Sequence, residues 1–212
     1  FGMVLVEAMA SDLPVVATFG IASGYLAVLV LALYLTSGRT PSALYSQPMF
    51  IGLTAEERGL LGAYYFTAFP TVPREGIVAN IHTDMPEALF PVAGTILLGE
   101  PHSTLGDTAR AALAAEGLVE VPDPTPEEVS FVRSDQYPFI RAGIPAVYLD
   151  GGTVSVDGVR DPKLALRKFL REHYHQPSDE ATLPIAYGDA LRLAKLNARI
   201  GQLVGNAIER PA

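Results

Sequence analysis

Short apolar runs alternate with longer helical stretches along this chain, and this alternation constrains the fold more than any other feature. Six of the runs are predicted strands, at residues 13–18, 48–53, 76–82, 94–98, 118–121 and 146–149. Several of them are continuously apolar, which is typical of strands that are covered on both faces. The predicted fold class is therefore α/β, a three-layer αβα sandwich with a mostly parallel mixed sheet.

Helices are predicted in the intervals, at about 23–36, 56–66, 104–116, 137–142, 162–172 and 185–209, with a short one at 4–10. The stretch 13–38 contains no charged residue, and roughly 20 apolar residues can span a bilayer. Pro14 and Gly24 interrupt this stretch, which favours a strand followed by a buried helix. A membrane-anchored segment is kept as the alternative.

Composition limits the classes of partner and of metal site. Hydrophobic residues make up 49% of the 212 positions, enough for the core of one domain. The formal net charge of -8 argues against nucleic acid as a partner, because nucleic-acid binding surfaces are basic. Because the chain has no cysteine, any metal must be held by His, Asp or Glu. The sequence predicts no oligomeric state.

Acidic side chains follow two neighbouring strands at the point where each strand ends. Glu56 and Glu57 come after one strand, and Asp84 comes after the next. Sites in such sheets form at the carboxyl ends of the strands. A polar loop further along the chain holds His173 and His175. His, Asp and Glu together suit zinc, and manganese or cobalt less well; taken one by one, each could equally be a solvated loop residue or a helix cap.

Four motifs occur in one order, at residues 54–62, 79–85, 133–145 and 174–179. Together they resemble the co-catalytic di-zinc aminopeptidases of the leucyl-aminopeptidase and aminopeptidase S type, and more distantly the glutaminyl cyclases and glutamate carboxypeptidases. The resemblance covers roughly residues 22–212. It implies a hydrolase with two zinc ions, a zinc-peptidase-like fold, peptide substrates cleaved at their N-terminus, and a secreted or periplasmic location.

The resemblance also implies a role for each matching side chain. Glu56 would be the general base that takes a proton from water and passes it to the leaving amine. Glu57 and His175 would bind one zinc ion, and Asp84 would bind the other.

Three further residues receive supporting roles from the same resemblance. Asp179 would accept a hydrogen bond from His175, as acceptors behind ligating imidazoles usually do. Asp135 and Tyr137 would lie near the substrate pocket.

The start of the chain departs from the family pattern. Members carry two more ligands upstream, a histidine and an aspartate that bridges both metals. Gly20 stands where the bridging aspartate is expected, and no histidine precedes His82. Residues 1–18 instead resemble the nucleotide-sugar motif of retaining glycosyltransferases, in which Glu7 would touch the donor ribose.

Two interpretations therefore stay open. The first is a metallo-aminopeptidase with a partly missing di-zinc site, and the second is a catalytically inactive or chimeric scaffold that retains the fold. Under both, residues 1–212 form a single, incomplete aminopeptidase-like domain with an atypical segment at 1–20.

Overall fold

A computed structural model describes residues 14–19, 47–84, 89–156, 161–180 and 182–212. Its strands are β1 (Pro14–Phe19), β2 (Gln47–Gly52), β3 (Ala79–Thr83), β4 (Gly94–Leu98), β5 (Val119–Glu120) and β6 (Ala146–Asp150). They form one six-stranded sheet in the order β2-β1-β3-β6-β4-β5. Every predicted strand is present, with its ends shifted by no more than a few residues.

The sheet is mixed and mostly parallel, as predicted. β1 pairs in parallel with β2 and with β3, and β3 pairs in parallel with β6. β4 runs antiparallel to β6 and parallel to β5. Since Phe19 is level with both Gly52 and Thr83, the chain segments that follow β2 and β3 leave the sheet at one edge.

Helices cover both faces of the sheet. They are α1 (Leu61–Ala68), α2 (Leu105–Ala115), α3 (Gln136–Arg141), α4 (Pro162–Glu172) and α5 (Tyr187–Asn206). One core cluster joins the sheet to α2 and α5, and includes Ile81, Val147, Leu149, Leu113, Leu196 and Ile200. A second cluster joins it to α1 and α3, and includes Met49, Ile51, Ala146, Ala63, Phe66 and Phe139.

This arrangement confirms the three-layer αβα sandwich. Neighbouring residues of a strand point to opposite faces, so Val147 and Leu149 belong to the first cluster while Ala146 belongs to the second. That is why the strand sequences are continuously apolar.

One predicted helix begins later than expected. A helix over 56–66 was predicted, but Glu56–Arg58 is a short 3-10 helix and α1 begins at Leu61. Gly59 and Leu60 between them have left-handed backbone, with φ of 93° and 57°, which no right-handed helix can include. Both predicted ends of α4 are correct. Its start is set by Pro162 in the first turn and by Asp161 Oδ1, which accepts a hydrogen bond from the Leu164 N–H.

Several predictions fall on residues outside the described part of the chain. These are the helices at 4–10 and 23–36 and the membrane alternative for 13–38, of which only β1 is described. Within the described ranges, no helix combines the length and apolar character that a bilayer crossing requires.

Gly62 permits close packing of α1 on the loop that carries Glu56 and Glu57. A Cβ at Gly62 would lie 2.4 Å from the Thr54 carbonyl oxygen and 2.6 Å from its nitrogen. We expect Gly62→Ala to lower the free energy of unfolding by about 1–3 kcal/mol, because the backbone must move. Urea denaturation measures this.

Gly188, near the start of α5, provides the matched control for this substitution. No atom lies within 4 Å of a Cβ placed there, so Gly188→Ala should be neutral or stabilise by up to about 1 kcal/mol. Equal effects of the two substitutions would show that the close packing at Gly62 is unimportant.

Candidate active site

The loop after β2 holds the glutamate pair in a tight backbone turn. The Gly62 N–H donates to the Thr54 carbonyl at 2.9 Å, and the Leu60 N–H donates to the Glu56 carbonyl at 2.8 Å. These bonds close the 3-10 helix Glu56–Arg58 against the start of α1. The backbone that carries the two glutamates is therefore fixed by its own hydrogen bonds.

Strained backbone marks the loops at this edge of the sheet. Among the described non-glycine residues, positive φ occurs at Ala55, Leu60, Val129 and His175. Such a conformation costs roughly 1–2 kcal/mol for a residue with a Cβ. Ala55 directly precedes Glu56, and His175 is itself a predicted ligand, so part of the strain lies where the chemistry is expected.

His175 lies in the turn after α4 and meets the glutamate loop. Its Nε2 is 2.7 Å from Glu57 Oε1, although both side chains are more than half exposed. The Tyr174 ring stacks on the His175 ring, with centroids 3.9 Å apart. Two of the predicted ligands, which are distant in sequence, are therefore in direct contact.

Glu56 is half-buried beside these groups, in a field that favours its protonated form. Burial raises its pKa to about 7, and the negative charges of Asp84 and Glu57 add to the effect. The positive charges of His175 and Arg133 act in the opposite direction. A carboxyl group that titrates near neutral pH can both accept and donate a proton.

Asp135, at the start of α3, is a buried carboxylate whose two oxygens have no hydrogen-bond partner among the residues that the structure describes. Burial raises its pKa to about 7, and repulsion from Glu56 and Asp84 contributes. An unpaired buried charge is costly. Asp135, for which the resemblance predicts a place near the substrate pocket, thus lies close enough to Glu56 and Asp84 to be repelled by both.

Hydrogen bonds connect Asp84 to the sheet and to the loop before α3. Ser134 Oγ donates to Asp84 Oδ2 at 3.2 Å, and His82 Nε2 lies 2.8 Å from Ser134 Oγ. The Tyr148 hydroxyl donates to the Asp84 carbonyl at 3.3 Å. Sequence reasoning assigned no role to Ser134, His82 or Tyr148, although a polar residue inside an apolar strand was a usable signal.

A further acidic residue, Asp150, ends β6 at the same edge. Burial raises the pKa of Asp150, and the charges of Asp123 and Asp84 act in the same direction. The Gly151 N–H donates to Asp150 Oδ1 at 2.6 Å and opposes that rise.

Two predicted residues stand apart from this group. Asp179 is exposed, and its side chain makes no hydrogen bond to His175 in the described structure. The Tyr137 ring packs edge-on against Phe131, with centroids 5.7 Å apart. Their supporting roles stay predictions.

The donor types at this edge fit zinc, which binds carboxylate oxygen and imidazole nitrogen. The two Asp135 oxygens, which have no hydrogen-bond partner among the described residues, are acceptors that a cation would satisfy. Among the residues the structure describes, however, no group of three or more His, Asp or Glu side chains is arranged to hold a metal ion. The described residues supply the Glu57–His175 pair but not a closed set of three.

The sheet topology defines an α/β protein with acidic side chains grouped at the carboxyl ends of its strands. The sequence pattern of Peptidase family M28 matches residues 21–200, and the chain belongs to this family. No curated protein matches the chain.

Solved structures share the fold at low identity. BSAP, a zinc aminopeptidase from Bacillus subtilis, has a TM-score of 0.66 at 18% identity over 94% of this chain and 48% of its own. The Legionella pneumophila LapA aminopeptidase has a TM-score of 0.65 at 14% identity, and the match covers 93% of this chain and 52% of LapA. The Porphyromonas gingivalis glutaminyl cyclase has a TM-score of 0.58 at 16% identity, and the match covers 89% of this chain and 71% of the cyclase. The chain spans about half the length of the first two.

The buried charge at Asp135 predicts how the stability of the metal-free protein depends on pH. The folded pKa, about 7, lies above the value near 3.9 of an unfolded chain. The folded state thus binds more protons in this interval, and stability falls as pH rises from about 4 to 7. Asp135→Asn should remove part of that fall, on the order of 2–4 kcal/mol at pH 8.

Chemical denaturation at pH 5 and pH 8 with a chelator present measures this effect. Glu127→Gln is the control, because Glu127 is an exposed glutamate, and the difference in stability between the two pH values should persist in that variant. If the free energy of unfolding of Asp135→Asn fell between pH 5 and pH 8 as much as that of the parent, the prediction would be wrong.

Proposed function

We propose that this chain is a zinc-dependent aminopeptidase-type hydrolase that removes N-terminal residues from peptides. Membership of Peptidase family M28 and a fold shared with zinc aminopeptidases support a zinc peptidase-type hydrolase. The observation that carries the finer proposal is the 2.7 Å contact between His175 and Glu57, with Glu56 beside it. This contact unites two of the four motifs on which the resemblance depends.

Glu56 has the properties of a general base in such a reaction. It takes a proton from the water whose oxygen attacks the scissile carbonyl carbon, and it delivers that proton to the amine as the C–N bond breaks. Glu57 and His175 would hold one zinc ion, and Asp84 a second. Bound zinc supplies positive charge that polarises the carbonyl and acidifies water.

We infer a supporting role for Tyr174, because its ring stacks on the ring of His175. Burial raises the pKa of its phenol, and the charges of Glu57 and Glu56 act in the same direction. The phenol therefore stays protonated at neutral pH and can donate a hydrogen bond to negative charge that develops on a substrate oxygen.

An inactive scaffold is the second candidate function. It is favoured by the absence of a three-residue metal group among the described residues and by Gly20, which stands where the resemblance places a bridging aspartate. From the resemblance alone we also propose a secreted or periplasmic location. Cell fractionation tests this, and recovery only in the cytoplasm would contradict it.

Zinc affinity distinguishes the two candidate functions. We expect the 212-residue chain to bind zinc in competition with a chromophoric chelator, and His175→Ala to weaken binding at least about 10-fold, since a ligand is lost. His102→Ala is the control, because His102 is an exposed imidazole that stacks on Phe131. Equal binding by all three proteins, or by none, would favour the scaffold.

The role of Glu56 is tested by a near-isosteric change. Glu56→Gln removes the proton acceptor but keeps the side-chain size, and it should lower kcat for an aminoacyl p-nitroanilide by about 10²- to 10⁴-fold. Zinc content should not change. Glu127→Gln, at an exposed glutamate, should behave like the parent; a Glu56→Gln variant as fast as the parent would exclude Glu56 as the base.

A further inference from the structure

His82 is a fully buried polar side chain in the middle of the sheet. It lies in β3 next to Ile81, which belongs to the core, and its own exposure is 0%. Burying an imidazole costs free energy unless its nitrogens are hydrogen-bonded. Its ring is accordingly bonded through Nε2 to Ser134 Oγ at 2.8 Å.

The direction of the hydrogen bonds follows from the number of protons available. Ser134 has one hydroxyl proton, and it is donated to Asp84 Oδ2 at 3.2 Å. Ser134 Oγ must therefore accept the bond from His82, so that Nε2 of the imidazole carries hydrogen. The protons point along one line, from His82 through Ser134 to the Asp84 carboxylate.

The sheet holds the start of this line in place. His82 and Tyr148 are paired in register on the neighbouring strands β3 and β6, and their rings meet edge to face with centroids 5.0 Å apart. Tyr148 also donates to the Asp84 carbonyl. Asp84 is thus held through its backbone by Tyr148 of β6 and through its side chain by Ser134, which His82 of β3 contacts.

We propose that His82 is a positioning residue, which fixes the Ser134 hydroxyl so that it orients the Asp84 carboxylate for a divalent cation. The inference rests on the proposed function only in taking Asp84 as a zinc ligand. Groups that hydrogen-bond to metal ligands typically change metal affinity by 10- to 100-fold when removed.

The orienting role is tested first in the metal-free protein by NMR. His82→Phe keeps a ring but removes the donor, His82→Gln keeps a side-chain N–H near the position of Nε2, and Ser134→Ala removes the link. In the parent we expect hydrogen on His82 Nε2. The Asp84 13Cγ signal should shift in the same direction in His82→Phe and Ser134→Ala, and should return toward the parent value in His82→Gln.

Thermal unfolding identifies any variant that does not fold. If His82→Phe is lost, the hydrogen on His82 Nε2 in the parent and the Asp84 signal in Ser134→Ala together still decide the test. A His82 Nε2 without hydrogen, or an Asp84 signal unaffected by Ser134→Ala, would overturn the proposal.

Zinc affinity is the second measurement. We expect His82→Phe and Ser134→Ala to bind zinc about 10-fold more weakly than the parent, and His82→Gln to stay within about 3-fold. If the parent itself binds no zinc, the proposed function fails, while the Asp84 signal still decides whether His82 orients that carboxylate. If the parent binds zinc and His82→Phe binds it equally well, the positioning role is wrong.

Discussion

Repulsion among carboxylates at one edge of the sheet is the constraint on which the rest of the site depends. Glu56, Asp84 and Asp135 act on one another closely enough that burial and mutual repulsion raise the pKa of both Glu56 and Asp135 to about 7. The opposing charges on Glu56 come from His175 and Arg133, and the Arg133 side chain is 65% exposed. Exposed charges are screened by water, so His175 and Arg133 offset the negative charge around Glu56 only in part.

The hydrophobic layers make this arrangement possible. Clusters on both faces of the sheet fix the strand ends from which the acidic loops emerge. Left-handed backbone at Ala55 and His175 and close packing at Gly62 then hold Glu57 against His175. Local strain of this kind persists only where the surrounding structure over-determines it, and here the two cores provide that support.

The sequence predicted the features that depend on local pattern. Continuous apolar runs gave the strands, and Pro162 gave the start of α4. Glycine at 59 did not reveal that Leu60 shares its left-handed backbone, because leucine carries no such preference. The start of α1 was therefore predicted five residues too early.

Contacts between distant segments were less accessible from the sequence. The meeting of Glu57 with His175 was expected through the resemblance, whereas spacing alone could not show it. The bonds from His82 to Ser134 and on to Asp84 depend on strand register and on the loop before α3, which no local pattern encodes. The burial of Asp135 without a partner likewise became visible only in three dimensions.

The same charge excess bears on the choice between a hydrolase and an inactive scaffold. A scaffold without a cation gains nothing from an unpaired buried Asp135, and replacing such a charge with a neutral group is often stabilising. A protein that binds a cation recovers the cost, because ligand binding to the folded state alone stabilises it. The cost of an ionised Asp135 in the metal-free state is therefore a physical reason, beside the family likeness, for proposing a cation at this edge.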